Sequence, residues 1–211
     1  MKKILFQGDS ITDSSRGSEE NSFNLGHGYP SMVAGRIGNS YPGEYSFVNR
    51  GVSGNRIVDV YARIKQDIIN LKPDIMSLLI GANDVWHELE AQNGVGSRKF
   101  GMLYDLLIKE IREELPDLKL IILTPFVLCG SGTEKYFDRF KSEIALRENE
   151  AIKTAKKHNL PCIRLQPLFD GAMKRYDDAS YWTLDGVHPM APGHSIIAEA
   201  WIKCFKDYIL S

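Results

Sequence analysis

The chain has 211 residues, 43% of them hydrophobic and 25% charged. That balance is globular, far from disordered, collagen-like or coiled-coil sequences, and the length suits one α/β domain spanning residues 1–211. Lys and Arg number 26 against 27 Asp and Glu, a net charge of -1 with no basic excess to steer the protein to nucleic acid or an anionic membrane.

The N-terminus opens on Lys2-Lys3 and the apolar Ile4-Leu5-Phe6, as a secretory leader does. Gln7, Gly8 and Asp9 end that run far short of a leader's apolar region. No apolar stretch elsewhere approaches the roughly 18 residues of a membrane span. A cytoplasmic protein without a membrane span is the expectation.

Residues 3–7 read as the first strand. The polar stretch 12–27 follows as a loop. The second strand covers 45–49, and the stripe Ile57, Val60, Tyr61, Ile64, Ile68, Leu71 predicts a helix after it. The third strand, 74–80, leads into a loop over 86–98, and Leu103, Leu107 and Ile111 mark the next helix. The fourth strand covers 119–127, with a turn at 130–133. Phe137, Phe140, Ile144, Ala151 and Ala155 give a further helix. The fifth strand is 161–165, and Ile197, Ala200, Trp201, Cys204, Phe205 and Tyr208 form the clearest stripe, a core-facing last helix. Near-continuous apolar strands alternating with amphipathic helices mean a parallel sheet covered on both faces. Right-handed crossovers make this α/β fold a three-layer α/β/α sandwich, flavodoxin-like, with a five-stranded parallel sheet. The three polar loops then share the carboxyl edge of the sheet, where ligands bind in such folds.

The chemistry-bearing residues gather at strand ends. Gly8-Asp9-Ser10 ends the first strand, Gly51-Val52-Ser53-Gly54 follows the second, Gly81-Ala82-Asn83-Asp84 the third, and Asp185-Gly186-Val187-His188-Pro189 lies near the C-terminus. Taken singly, the first three read as turn and helix-cap residues. The Asp-x-x-His spacing says more, since one turn lets the carboxylate reach the imidazole Nδ1–H. The α/β-hydrolase pattern Gly-x-Ser-x-Gly is absent around Ser10.

Together and in this order, the four blocks resemble the GDSL, or SGNH, hydrolase family, and they span residues 8 to 189. The longer strings Gly8-Asp9-Ser10-Ile11-Thr12-Asp13, Asn49-Arg50-Gly51-Val52-Ser53-Gly54-Asn55, Gly81-Ala82-Asn83-Asp84-Val85-Trp86 and Thr124-Pro125-Phe126 are similar to a subgroup that includes intracellular acetylxylan esterases and related carbohydrate acetylesterases. The resemblance implies an SGNH hydrolase fold and a serine carboxylic-ester hydrolase for short acyl groups, plausible substrates being acetyl esters of sugars. It implies Ser10 as nucleophile, His188 as base and Asp185 as its partner, with oxyanion donors from the Ser10 N–H, the Gly54 N–H and the Asn83 amide. Asp9 and Asp84 are assigned to loop-holding hydrogen bonds. A thioesterase, a lysophospholipase-type lipase or an acyltransferase shares the same triad, and a flavodoxin-like binding module without chemistry is the alternative of another class.

No cofactor and no metal is expected. His188 and His194 lie six apart across Pro189 and Pro192 and share no helical face, so they are not a zinc pair. His194 is read as capping or packing at the start of the last helix, and His27, His87 and His158 as surface. Gly26-His27-Gly28 lacks the Lys-Ser/Thr of a phosphate loop. Cys129, Cys162 and Cys204 form no CxxC pair and are read as small buried apolar residues of a reducing compartment. Trp86 and Trp182 lie close in sequence to the blocks. Each either stacks on a sugar face or packs in the core. The expected partner is a small-molecule ester, and the oligomeric state is left open.

Overall fold

The computed structural model describes residues 1–17 and 23–210, so residues 18–22 of the loop over 12–27 lie outside the described residues. In chain order the elements are β1 (Lys2–Gly8), α1 (Ser10–Asp13), α2 (Tyr29–Ser40), β2 (Tyr45–Asn49), α3 (Ile57–Ala62), α4 (Ile64–Asp67), β3 (Ile75–Leu79), α5 (Ala82–Ala91), α6 (Ser97–Glu114), β4 (Lys119–Leu123), α7 (Phe137–Lys157), β5 (Cys162–Ile163), α8 (Leu165–Arg175), α9 (Ala179–Trp182) and α10 (Ala191–Tyr208). The strands form one five-stranded sheet in the order β2-β1-β3-β4-β5, and every neighbouring pair is parallel.

The strands are apolar on both sides because helices cover both. Ile4, Phe6, Ile75, Leu79, Ile121 and Leu123 face one layer, built from α2, α8, α10 and the start of α7. The alternate residues Leu5, Met76, Leu78, Leu120 and Ile122 face the other, built from α3, α4, α6 and the end of α7. Alternating side chains of the pleat thus feed two cores. The α10 stripe lies over β1, with Trp201 tilted 5.6 Å from Phe6 and stacked on Phe205. That contact fixes where the segment preceding α10 meets the sheet edge.

Three local expectations differ from the structure, and helix α2 occupies a stretch for which no element was expected. The single helix over 57–71 is broken at Arg63, whose backbone leaves helical angles (φ -108, ψ 15), giving α3, α4 and a 3-10 turn. The fourth strand stops at Leu123, since Pro125 has no N–H for a ladder. Phe126 and Val127 are nonetheless buried, and the Val127 N–H and carbonyl bond the Gln166 side chain in place of a strand. The loop over 86–98 is helix α5 as far as Ala91, so only 92–96 is irregular. Helix α2 buries Tyr29, Val33 and Ile37 at four-residue spacing, a stripe too sparse among Gly and Ser to stand out.

Two side-chain expectations also change. Cys129 is exposed rather than buried, while Cys162 and Cys204 are half-buried. His158 is not a free surface group: its Nε2 lies 2.7 Å from Asp105 Oδ1. Among the described residues, no helix is long and apolar enough to cross a membrane, and no three His, Cys, Asp or Glu side chains cluster as metal ligands.

Candidate active site

The strand order reverses direction at β1, so the crevice beyond the carboxyl ends of β1 and β3 is the switch point at which ligands bind in doubly wound sheets. Ser10 sits at the end of β1 and Asn83 at the end of β3. Asp9 caps α1, its Oδ1 accepting the Ile11 N–H at 3.0 Å. As the first residue of α1, Ser10 has a backbone N–H with no acceptor inside its own helix.

The C-terminal block closes over this edge. Residues 183–190 form a tight return, with Leu184 N–H bonded to the His188 carbonyl at 2.7 Å and a bridge between Thr183 and Pro189. The segment after β4 braces it from outside: Leu128 N–H bonds the Gly186 carbonyl and Gly132 N–H the Asp185 carbonyl. Asp185 Oδ1 accepts the Val187 and His188 N–H groups, both at 2.9 Å, and its Oδ2 lies 2.6 Å from His188 Nδ1. His188 Nε2 then lies 2.8 Å from Ser10 Oγ. Residues 178 apart in sequence thereby form one hydroxyl–imidazole–carboxylate chain.

Burial works to raise the Asp185 carboxyl, but hydrogen bonds from the His188 ring, the His188 N–H and the Val187 N–H outweigh it and hold the carboxyl below its ordinary value. The hydrogen bond to Asp185 raises His188 above its ordinary value, against a smaller opposing effect of burial. The geometry makes Nδ1 the donor to Asp185 and leaves the Nε2 lone pair facing the serine hydroxyl, which suits proton abstraction from Ser10.

Gly54 has φ +81, a left-handed conformation that disfavours any residue with a Cβ. Its turn is closed by the Asn55 N–H on the Val52 carbonyl at 3.1 Å. The Asn83 Nδ2 donates to the Asn55 carbonyl at 3.1 Å. An amide has two N–H bonds, and among the described residues this is the one acceptor found for the Asn83 amide. The loop carrying Gly54 is packed hard on α1, because a Cβ at Gly51 would collide with the Thr12–Asp13 backbone.

Several side chains that sequence reading gave no role hold these loops together. Asn49 Nδ2 donates to the Thr12 carbonyl at 2.6 Å and the Leu25 carbonyl at 2.9 Å. Asp13 Oδ2 accepts the Ser53 N–H at 3.0 Å and hydroxyl at 2.8 Å, and Arg16 Nε donates to the Gly51 carbonyl at 2.6 Å. Their signal was compositional only: polar side chains at or soon after the ends of β1 and β2. Asp9 and Asp84, assigned to loop-holding bonds, instead accept backbone N–H groups at helix starts, Ile11 of α1 and Ile57 of α3, and burial pushes both carboxyls up to about 7.

The two tryptophans part company. Trp86 is half-buried, with its ring 5.8 Å from that of His188 and 5.8 Å from Phe140. Trp182 is only 6% exposed. It packs in the core, with its Nε1 bonded to the Tyr176 carbonyl and Arg175 over its ring. His194 Nδ1 accepts the Tyr29 N–H at 3.2 Å and so caps α2, not its own helix α10; burial first, then His188, lowers it to about 4.

The model of the GDSL-like lipase/acylhydrolase family matches residues 6–196. An acetylxylan esterase of Geobacillus stearothermophilus is 34% identical over 209 residues, covering 96% of this chain and 93% of that protein. Among solved structures, a candidate GDSL-like lipase from Parabacteroides merdae superposes with a TM-score of 0.89 at 30% identity, covering 97% of this chain and 95% of its own. The G. stearothermophilus acetylxylan esterase Axe2 superposes with a TM-score of 0.85 at 31% identity, over 96% and 93% of the two chains.

Proposed function

The chain belongs to the GDSL-like lipase/acylhydrolase family and is a carboxylic-ester hydrolase; from that premise we propose that it removes short acyl groups, acetyl above all, from sugar esters through a Ser10–His188–Asp185 triad. The observation that carries the triad is the unbroken chain of contacts from Ser10 Oγ to His188 at 2.8 Å and on to Asp185 at 2.6 Å.

In this reading His188 Nε2 takes the Ser10 proton as Oγ attacks the acyl carbonyl carbon. The carbonyl oxygen becomes an oxyanion held by the Ser10 and Gly54 N–H groups and the free Asn83 N–H. Asp185 stabilises the imidazolium and keeps Nδ1 protonated. Collapse breaks the bond to the alcohol, which leaves with the proton from His188, and the acyl group stays on Ser10. Water, deprotonated by His188, then attacks the acyl-enzyme, and the acid departs as Ser10 recovers its proton. No cofactor or metal enters these steps. Residues 1–211 are read as one hydrolase domain.

Acetyl specificity is supported by the acetylxylan esterase relative. The side chains that tie the Ser10 loop to the Gly54 loop, Asp13, Arg16 and Ser53, are polar and agree with it. A fatty acyl site needs many aliphatic side chains, because each buried CH₂ contributes only about 0.8 kcal/mol. The half-buried Trp86, its ring 5.8 Å from that of His188, is assigned to packing against the sugar alcohol. A panel of aryl esters from acetyl to octanoyl, together with acetylated xylose, tests the reading. kcat/KM should fall steeply with acyl length, and xylose acetate should be deacetylated with glycosidic bonds untouched. A preference for octanoyl esters would overturn the short-acyl assignment, and acyl transfer to added alcohol in place of hydrolysis would overturn water as the acceptor.

A further inference from the structure

Asp84 is fully buried and lies outside the Ser10–His188–Asp185 chain. Its two carboxylate oxygens both face the Ile57 N–H, at 3.1 and 3.2 Å. Ile57 is the first residue of α3, three residues beyond Gly54. The preceding residue, Asn83, donates its amide to the Asn55 carbonyl at 3.1 Å. Two consecutive residues in the first turn of α5 therefore grip the segment 55–57 at two points, one through an amide donor and one through a carboxylate acceptor.

That double grip sets the distance between the two donors that the proposed oxyanion hole draws from different strands. Gly54 belongs to the loop after β2 and Asn83 to the helix after β3, and no ladder joins β2 to β3, because β1 lies between them. An oxyanion held by both needs each donor within about 2.7–3.1 Å of one point. The Asn83 bond alone is a hinge; the Asp84 bond two residues further along stops rotation about it. Asp84 is itself held on the other side: its carbonyl accepts the Val95 N–H at 3.0 Å, and the buried Arg147 of α7 donates to the Val95 carbonyl at 2.7 Å.

We propose that Asp84 is a positioning residue for the oxyanion hole, its carboxylate pinning the start of α3, and with it the Gly54 N–H, against Asn83. The proposal rests on the oxyanion-hole reading above, and its test separates the two. The variants Asp84→Ala, Asp84→Asn, Ile57→Pro, Ile57→Ala and Asn83→Ala are compared by kcat per active site, the sites being counted with a serine-directed phosphonate, and by KM for an aryl acetate. Asp84→Ala should lower kcat per titrated site by about 10- to 10²-fold, the scale of a small misplacement, with KM changed less than about threefold. Asp84→Asn still offers an oxygen to Ile57 and should recover to within about fivefold of wild type. Ile57→Pro keeps Asp84 and deletes the donor at a first-turn position that tolerates proline, but it also removes a buried core side chain. Ile57→Ala, which loses that side chain and keeps the N–H, is its control, and kcat per site in Ile57→Pro should fall about 10-fold or more below that of Ile57→Ala even where Asp84→Ala does not fold. A wild-type kcat per site in Asp84→Ala, or one in Ile57→Pro no lower than in Ile57→Ala, overturns the proposal, as does a change confined to KM or to the number of titratable sites. If Asn83→Ala retains wild-type kcat, the oxyanion-hole reading falls, and this proposal falls with it; if only Asn83→Ala loses activity, the Asp84 role alone is refuted.

Discussion

Replacing Asp185 with Asn perturbs the proposed triad with almost no change of shape. The wild-type carboxylate uses Oδ1 for two backbone N–H groups at 2.9 Å each and Oδ2 for His188 Nδ1 at 2.6 Å. An amide has only one oxygen. With that oxygen on the Val187 and His188 N–H groups, the new NH₂ faces Nδ1, which must then accept. The ring proton moves to Nε2 and points at Ser10 Oγ, 2.8 Å away, where a base lone pair is needed. The flipped amide would set NH₂ against two N–H donors, and leaving such groups unsatisfied costs about 1–3 kcal/mol each. The wrong tautomer therefore dominates. In the serine-protease triad the same change costs about 10⁴ in kcat, about 5.5 kcal/mol in barrier, and a loss of that order is expected here at neutral pH. The pH profile should move as well. In the proposed mechanism the base must be neutral His188, and the Asp185 hydrogen bond raises its pKa from the ordinary 6.5, so wild-type activity should rise with pH through a limb above that value. In Asp185→Asn the residual activity should rise at lower pH. Steady-state kinetics on an aryl acetate across pH 5–9, with circular dichroism to confirm folding, measures both effects. A folded variant within tenfold of wild-type kcat, or with an unmoved limb, refutes the argument.

Ser10→Ala should cost 10³-fold or more in kcat with folding intact and should abolish the single phosphonate adduct seen by mass spectrometry; a remaining adduct would place the nucleophile elsewhere. Gly54→Ala meets no steric neighbour, yet the residue sits at φ +81, which costs an L-residue roughly 1–2 kcal/mol. It should lower kcat more than it raises KM, and wild-type kcat would remove Gly54 from the site. Burial raises the Asp9 carboxyl from 3.8 to about 7, so between those values the folded chain holds a proton the unfolded chain has lost. Its stabilising contribution is complete below 3.8 and is lost as pH rises through about 7. Asp9→Asn keeps a capping oxygen for Ile11 and has no proton to lose. Its urea-measured stability relative to wild type should therefore rise from pH 4 to 8, and a constant difference would contradict the assignment.

Much of this protein was written locally in its sequence. Strand and helix alternation follows from period: Ile75 to Leu79 is apolar at every position because both faces are covered, while the α10 residues Ile197, Trp201 and Phe205 recur at helical spacing because one face is. Ser10, Gly54, Asn83, Asp185 and His188 stand in four short blocks; singly the first three read as turns and caps, and it was the order of all four, through its resemblance to the GDSL hydrolases, that marked these residues as site candidates without coordinates. What period and turn chemistry do not encode is pairing at long range. The order β2-β1-β3-β4-β5 and the seat of α10 on Phe6 decide that residue 188 meets residue 10. The apolar run 119–127 does not reveal that its last residues are buried as a loop, since burial of a side chain and strand pairing of its backbone are separate facts. Trp86 and Trp182 have the same ring and the same nearness in sequence to a block. Only packing decides that one stands beside His188 while the other is spent in the core, because exposure belongs to the neighbours a fold assembles, not to the residue.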